Sequence, residues 1–413
     1  MPDSRKDLEI LRRLAAETAE IAALPVHREK SALWTGFNRL GWTRPPVWIN
    51  EICWNEITGP EMDLQCRDEF CRGWEWQMRS TLYQWRHLPV DMVVEPVLWC
   101  PLVIHDTGFG LQPTTTRPEG DGMVCVDYIP MLRTEADLRM IRTPEVTVDR
   151  AASDRQCERL RSLVGDTLQV RQIGSTDTWF APWDMLCMVW GLQELFTDMV
   201  DRPEFVHMAI GRLVDAMLSR QDQLQAQEAL ALNNGNFRIG SGGLGYSDEL
   251  PQKDFDGTHV RFIDRWGSAT PQIFSEVSPA MHEEFALRYE MKWLERCGLN
   301  YYGCCEPHHK KVGILSKIPR LRKISMSPFV NVEEGAAGCG TRFIYSHKPN
   351  PSVFAQGKWN PEQARAELRS VLERTRGCHV EIILKDISTL RGEPHRLWDW
   401  ARIAMEESER FAP

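Results

Sequence analysis

The densest chemistry in the chain is the run Gly303-Cys304-Cys305-Glu306-Pro307-His308-His309, which follows the strand-like residues Leu299-Asn300-Tyr301-Tyr302. Thiolate, imidazole and carboxylate are the donors zinc prefers, in tetrahedral geometry, and a catalytic zinc keeps one position for substrate. Cys305 and Glu306 are therefore the first candidate metal ligands, with Cys304 and His309 beside them. Successive residues of a strand point to opposite faces, which favours Cys305 over Cys304 unless the turn at Pro307 brings both round. The plainer reading is that each cysteine is a small buried hydrophobe, as free cysteines usually are.

Other apolar runs end on polar groups in the same way. Glu276 closes the run Pro271 to Val277, so Glu276 and Glu306 are expected side by side on neighbouring strands. Two carboxyl groups so placed either push one pKa up or hold a cation between them. Glu51 and Glu95 end or interrupt the first two runs. Lys348 and the pair Lys385-Asp386 follow two late ones. An ammonium there suits a substrate carboxylate or phosphate. Glu276, Tyr246, Lys348 and Asp386 are the acid, base or charge-bearing catalytic candidates. Glu51, Glu95, Gln272, Ser325 and Lys385 are the candidates for holding a small-molecule substrate.

These groups must be carried by an ordered set of elements. Leu8, Leu11, Leu14, Leu33 and Phe37, with Pro25 between, predict two amphipathic helices over residues 5–40. After them, strands are expected at 45–51, 91–99, 167–174, 271–277, 299–305, 321–327, 342–346 and 379–385, with helical patterns between most of them. That alternation is the signature of parallel βαβ units. It predicts a single α/β domain over residues 1–413: a helical extension over 1–43, then a closed (β/α)8 TIM barrel over 44–413. In such a barrel the carboxyl ends of the strands form the catalytic face. The Gly- and Thr-rich stretch 104–128 predicts a lid over that face, with Phe109 and Leu111 as its apolar underside. Gly242, Gly243 and Gly245 mark a bend or close approach of backbone.

Composition narrows the function. The net charge of −9 leaves no basic stripe for phosphates, which argues against nucleic acid. Twelve scattered cysteines are too sparse for a disulfide scaffold and predict reduced thiols. The first residues lack the apolar core of a signal peptide and no window is apolar enough to span a membrane, so a cytoplasmic protein is expected. A homodimer is compatible with all of this. Gly-x-Gly-x-x-Gly after a strand, the phosphate-binding Gly-x-x-x-x-Gly-Lys loop and the Gly-x-Ser-x-Gly elbow do not occur in these settings.

Four segments carry a resemblance: the helix start around Asp201-Arg202-Pro203-Glu204-Phe205-Val206-His207, the strand end Cys304-Cys305-Glu306-Pro307, and the stretches His347 to Pro351 and Leu384 to Thr389. The chain resembles the uroporphyrinogen decarboxylase superfamily over most of its length, in a decarboxylase-like branch related to the corrinoid-dependent methyltransferases. The resemblance implies the barrel, and a zinc-dependent enzyme moving a methyl group from an O- or N-methylated small molecule to a corrinoid carried by a partner protein. It departs from the family in two places. Asn50-Glu51 stands where the decarboxylases have an arginine-bearing segment, and Tyr302 or Gly303 stands where the methyltransferases have a metal-binding histidine. A metal-free decarboxylase and a non-catalytic ligand-binding barrel are the alternatives.

Overall fold

The computed structural model describes residues 5–116 and 127–412. The two expected N-terminal helices are Arg5–Ala22 and Val26–Asn38, with Pro25 capping the second. The first lays Leu11, Leu14 and Ala15 against Met78 and Leu82 of helix Glu69–His87. The second buries Trp34 and Phe37 with Ile344 and Ile383 of the main sheet. The extension is thus part of the core and not an appendage.

Among the described residues, seven strands form one wholly parallel sheet. Its spatial order is Val47–Ile49, His379–Leu384, Ile344–His347, Leu321–Met326, Leu299–Tyr302, Trp266–Ala269 and Trp179–Phe180. Every residue of 266–269, 299–302, 344–347 and 379–384 is buried. Parallel sheets need cover on both faces, which is why these strands are buried along their whole length, polar residues included. Helices such as Pro361–Arg374 and His395–Arg410 supply the outer layer.

The architecture is barrel-like, and it corrects the closed eight-stranded ladder expected from the sequence. Two expected staves, Val97–Pro101 and Gln169–Ile173, pair with each other as a separate parallel ribbon. The seam between Val47–Ile49 and Trp179–Phe180 is crossed by irregular chain instead. The Asp91 amide donates to the Val47 carbonyl at 3.0 Å. Asn50 Nδ2 donates to the Ser241 carbonyl at 2.9 Å, and the Gly240 amide to Thr178 Oγ1 at 3.2 Å. Backbone occupies this space because the glycines allow it: a Cβ on Gly242 would lie 2.6 Å from Tyr301 Cε2. The close approach expected for this loop is real.

Three boundaries moved. The expected strand 271–277 is Trp266–Ala269, and Gln272–Phe274 is a 3-10 turn closed by the Phe274 amide on the Pro271 carbonyl. Ile273, Phe274 and Val277 look like strand residues, but they pack as a turn over the sheet's end. Glu95 precedes its strand, so it sits at the entry end and not in the mouth. The stretch Thr115–Thr116 pairs with Asp127–Tyr128, and Val103–Asp106 with Val146–Asp149, both antiparallel. Phe109 and Leu111 rest on the main core. The tip of the expected lid, 117–126, lies outside the described residues. No helix among the described residues is long and apolar enough to cross a membrane.

Strand register decides which side chains meet inside the curl. Ser268 pairs with Tyr301, Tyr301 with Lys323, Ser325 with Ser346, and Ser346 with Glu381. Period-two alternation therefore turns Ser346 and, two residues on, Lys348 inward, and His347 outward. The fully buried Lys323 Nζ and Glu381 Oε2 are 2.7 Å apart. Ser346 Oγ donates to the other Glu381 oxygen at 2.6 Å. A buried charge needs such complete partnering to be tolerated.

Candidate functional site

Strand Leu299–Tyr302 stops at Gly303, whose φ of +96° turns the chain across the carboxyl ends of its neighbours. Only glycine fits, since a Cβ there would be 2.3 Å from His308 Cε1. The turn is then held from both sides. The Cys304 amide donates to Glu306 Oε2 at 2.6 Å, and Ser325 Oγ donates to the Cys304 carbonyl at 2.5 Å. Thr270 Oγ1 donates to Glu306 Oε1 at 2.7 Å. Glu306 and Ser325 therefore position Cys304, and the carboxylate has no oxygen turned to the mouth.

Because residues 303–306 have left the strand, both thiols come round to the same place, 3.5 Å apart. Lys385, just past the end of strand His379–Leu384, puts Nζ 2.8 Å from Cys304 Sγ and 3.3 Å from Cys305 Sγ. Cys304 is buried, while Cys305 is partly open and contacts Gln272 Oε1 at 3.6 Å and Asp386 Oδ2 at 3.2 Å. The Cys304 thiol is lowered below its ordinary pKa by the hydrogen bond from Cys305 and then by the charge of Lys385, which together outweigh burial. Cys305 is pushed far up by that same bond to Cys304 and by burial. Burial would lower Lys385, but the sulfur charge beside it holds it protonated above its usual range. The set is an ammonium against a thiol of lowered pKa, with a second, protonated thiol beside it, the environment that favours the nucleophilic thiolate.

An acid stands across the mouth. Asp184 lies in the first turn of helix Pro182–Trp190, directly after strand Trp179–Phe180. Gln272 joins it to the thiols: Nε2 donates to Asp184 Oδ2 at 2.7 Å, and Oε1 faces Cys305. Burial raises the Asp184 carboxyl to about 6. Sequence reading missed both Asp184 and Thr270. The available signal for Asp184 was an acidic residue one turn into a helix that starts immediately after an apolar pair.

The remaining candidates divide clearly. Glu51 is at the mouth, where Oε2 accepts the Asp386 amide at 2.8 Å. Asp386 takes a φ of 58° and lies 3.3 Å from Lys385 Nζ. Lys348 is directed inward and fully used: Nζ donates to Tyr301 OH at 2.9 Å, Ser346 Oγ at 2.8 Å and the Ser346 carbonyl at 3.2 Å. An ammonium has three donors, so none is left for a substrate. Burial brings Lys348 down to about 7. Glu276 follows the 3-10 turn and is exposed, so Thr270 and not Glu276 meets Glu306. Tyr246 donates to Glu95 at 3.3 Å, at the entry end of the ribbon and against Trp34 and Val93.

The four groups expected as zinc ligands do not converge. Cys304 and Cys305 do, but Glu306 is turned to Thr270 and the Cys304 amide. His309 lies toward Gly335 of helix Val332–Cys339. Lys385 already rests against both sulfurs, where a cation between thiolates would sit. Among the described residues no group of three or more His, Cys, Asp and Glu side chains is placed to hold a metal ion.

No family model matches the chain, and no curated protein does. Among solved structures, it is similar to a methyltransferase from Methanosarcina mazei at 10% identity and a TM-score of 0.43, over 81% of this chain and 84% of that one. A likeness that distant assigns no activity.

Proposed function

We propose that the protein is an enzyme that takes a methyl group from a small O- or N-methylated substrate, and that the Cys304 thiolate is the group that receives it. The observation that carries this reading is the 2.8 Å contact of Lys385 Nζ with buried Cys304 Sγ at the carboxyl ends of the strands. In the step, the sulfur electron pair forms the S–C bond while the C–O or C–N bond breaks. The leaving heteroatom keeps the bonding pair and takes a proton from Asp184, whose carboxyl stays protonated up to about pH 6. A corrinoid-bearing protein is the partner this reading names for the onward transfer that frees the thiol. Zinc has no role in the step, in keeping with the donor set described above.

The test uses a panel of methylated amines and aryl methyl ethers with deuterated methyl groups. Deuteriomethyl label on Cys304, located by peptide fragmentation, is the expected result, with Asp184→Asn slowing its appearance. A Cys304→Ser variant that turns over the same substrate at the wild-type rate refutes the reading.

Decarboxylation is the second reading, and one observation favours it: Asp184 is a carboxylic acid held neutral toward pH 6 in the mouth, as a proton donor to a carbanion must be. Carbon dioxide release that survives Cys304→Ser but is lost in Asp184→Asn selects it over methyl transfer.

A further inference from the structure

Cys304 and Cys305 also permit a reaction that needs no methylated substrate. They are neighbours in the chain, and the turn at Gly303 brings their sulfurs to 3.5 Å. A disulfide bond is about 2.0 Å long, so the two side chains have about 1.5 Å left to close. Cys304 is 3% exposed, and its backbone is held by Glu306 and Ser325. Cys305 is partly open, so the movement falls to Cys305.

The two sulfurs are set up differently. Lys385 Nζ, 2.8 Å from Cys304 Sγ, favours the thiolate there. Cys305 Sγ donates to Asp386 Oδ2 at 3.2 Å, and the Asp386 side chain is open to water. One sulfur is thus placed to attack and the other has a base at hand, the pairing found where a thiol is oxidised and a neighbour resolves it. The other partly open cysteines among the described residues, Cys187 and Cys378, donate to the Asp184 and Ala336 carbonyls at 3.3 and 3.4 Å, and burial raises both thiols.

We propose that Cys304 and Cys305 are a reversible oxidation site, at which a peroxide joins the two sulfurs and a dithiol reductant parts them. The Cys304 thiolate attacks the peroxide: the S–O bond forms, the O–O bond breaks, and the departing hydroxide takes the proton that Cys304 gave up and leaves as water. The Cys305 sulfur then attacks the Cys304 sulfenic acid, so that S–S forms as S–O breaks. Asp386 takes the Cys305 proton and passes it to the second hydroxide. One hydrogen peroxide accepts two electrons and yields two waters. Adjacent Cα atoms are about 3.8 Å apart, below the about 4.4–6.8 Å usual for disulfides, so such a bridge is strained and readily reduced. It is then a switch and not a staple. Under the methyl-transfer reading the bridge removes the accepting sulfur and stops turnover; formation of the bridge does not depend on that reading.

The experiment treats the full-length protein with about one equivalent of hydrogen peroxide, alkylates the remaining thiols, reduces with dithiothreitol and alkylates again with a heavy reagent, each label being assigned by fragmentation. Heavy label on both Cys304 and Cys305, with light label on the buried Cys100 and Cys157, is the expected result. In Cys305→Ser no thiol resolves the first product, so Cys304 is expected to stop at sulfenic acid and to be trapped by dimedone. Lys385→Met is expected to slow Cys304 oxidation about threefold or more at a pH below its midpoint, the net of an about tenfold smaller thiolate fraction and a gain in intrinsic nucleophilicity. Heavy label on one of the two residues without the other, heavy label on neither, a loss of the Cys304 thiol that dithiothreitol does not reverse, or a rate unchanged by Lys385→Met each overturns the proposal. The first three are read on the wild-type protein and stand whether or not a variant folds. No methylated substrate enters the assay, so a failure of methyl label to reach Cys304 refutes methyl transfer and leaves the switch intact.

Discussion

Replacing Lys385 by Met tests directly what the ammonium does to the Cys304 thiol. Two unit charges 2.8 Å apart attract by roughly 1.5 kcal/mol in a water-like medium and by roughly 6 kcal/mol at an effective dielectric of about 20. One pKa unit corresponds to about 1.36 kcal/mol, so losing the ammonium raises the Cys304 pKa by about one unit at least and by about four at most. The hydrogen bond from Cys305 is retained and keeps part of the depression. The assay is the pH dependence of iodoacetamide alkylation, with the product assigned to Cys304 by fragmentation. The midpoint is the quantity to read and not the rate at one pH, because a thiolate of higher pKa is also intrinsically more nucleophilic. The midpoint is expected to move up by one unit or more, with a matching fall in the alkylated fraction near neutral pH. A midpoint that moves by less than about 0.3 unit refutes the assignment of Lys385 as a group that lowers the Cys304 pKa.

Three other outcomes follow from buried groups. Glu290, which accepts a 2.5 Å hydrogen bond from Tyr302, has its pKa raised to about 8 by burial. The unfolded carboxyl ionises near 4.5 and the folded one near 8, so folding stability that is complete below the lower value is lost as pH rises through the upper one. Glu290→Gln should remove that fall, and a wild-type-to-variant difference in Tm that stays constant from about pH 5 to about pH 8 contradicts it. Lys323→Met leaves Glu381 charged and unpaired in the core and is expected to cost about 3–5 kcal/mol in urea unfolding, much of it recovered in Lys323→Met with Glu381→Leu. If the double variant is no more stable than the single one, the two charges are not coupled. Asp184→Asn should abolish the limb of the activity profile that falls as pH rises through about 6, and its persistence in that variant assigns the limb to another group.

The periodicities of the chain determined much of this protein directly. The helices at 5–22 and 26–38, and the strands at 299–302, 321–326, 344–347 and 379–384, are long enough or apolar enough to be read locally, and Pro307 marks the end of the strand that carries the thiols. From those strand ends followed the placing of Cys305, Lys385 and Asp386 at one mouth, and from the glycines the close approach around Gly242, whereas the turn at Gly303 decided that Cys304 joins Cys305 there. What only the tertiary structure decided is who partners whom. Lys348 and Lys385 follow strand ends in the same way in sequence. Yet the first is consumed by Tyr301 and Ser346 inside the curl, while the second reaches the sulfurs. Glu306 reads as a metal ligand until Thr270 and the Cys304 amide occupy its oxygens. Asp184 is one acidic helix-start residue among several until Gln272, distant in sequence, links it to Cys305. Local pattern fixes period and element type because those depend on near neighbours along the chain. Hydrogen-bond choice and pKa depend on groups brought together by the curl of the sheet, and its open seam is filled by irregular backbone that no local pattern specifies.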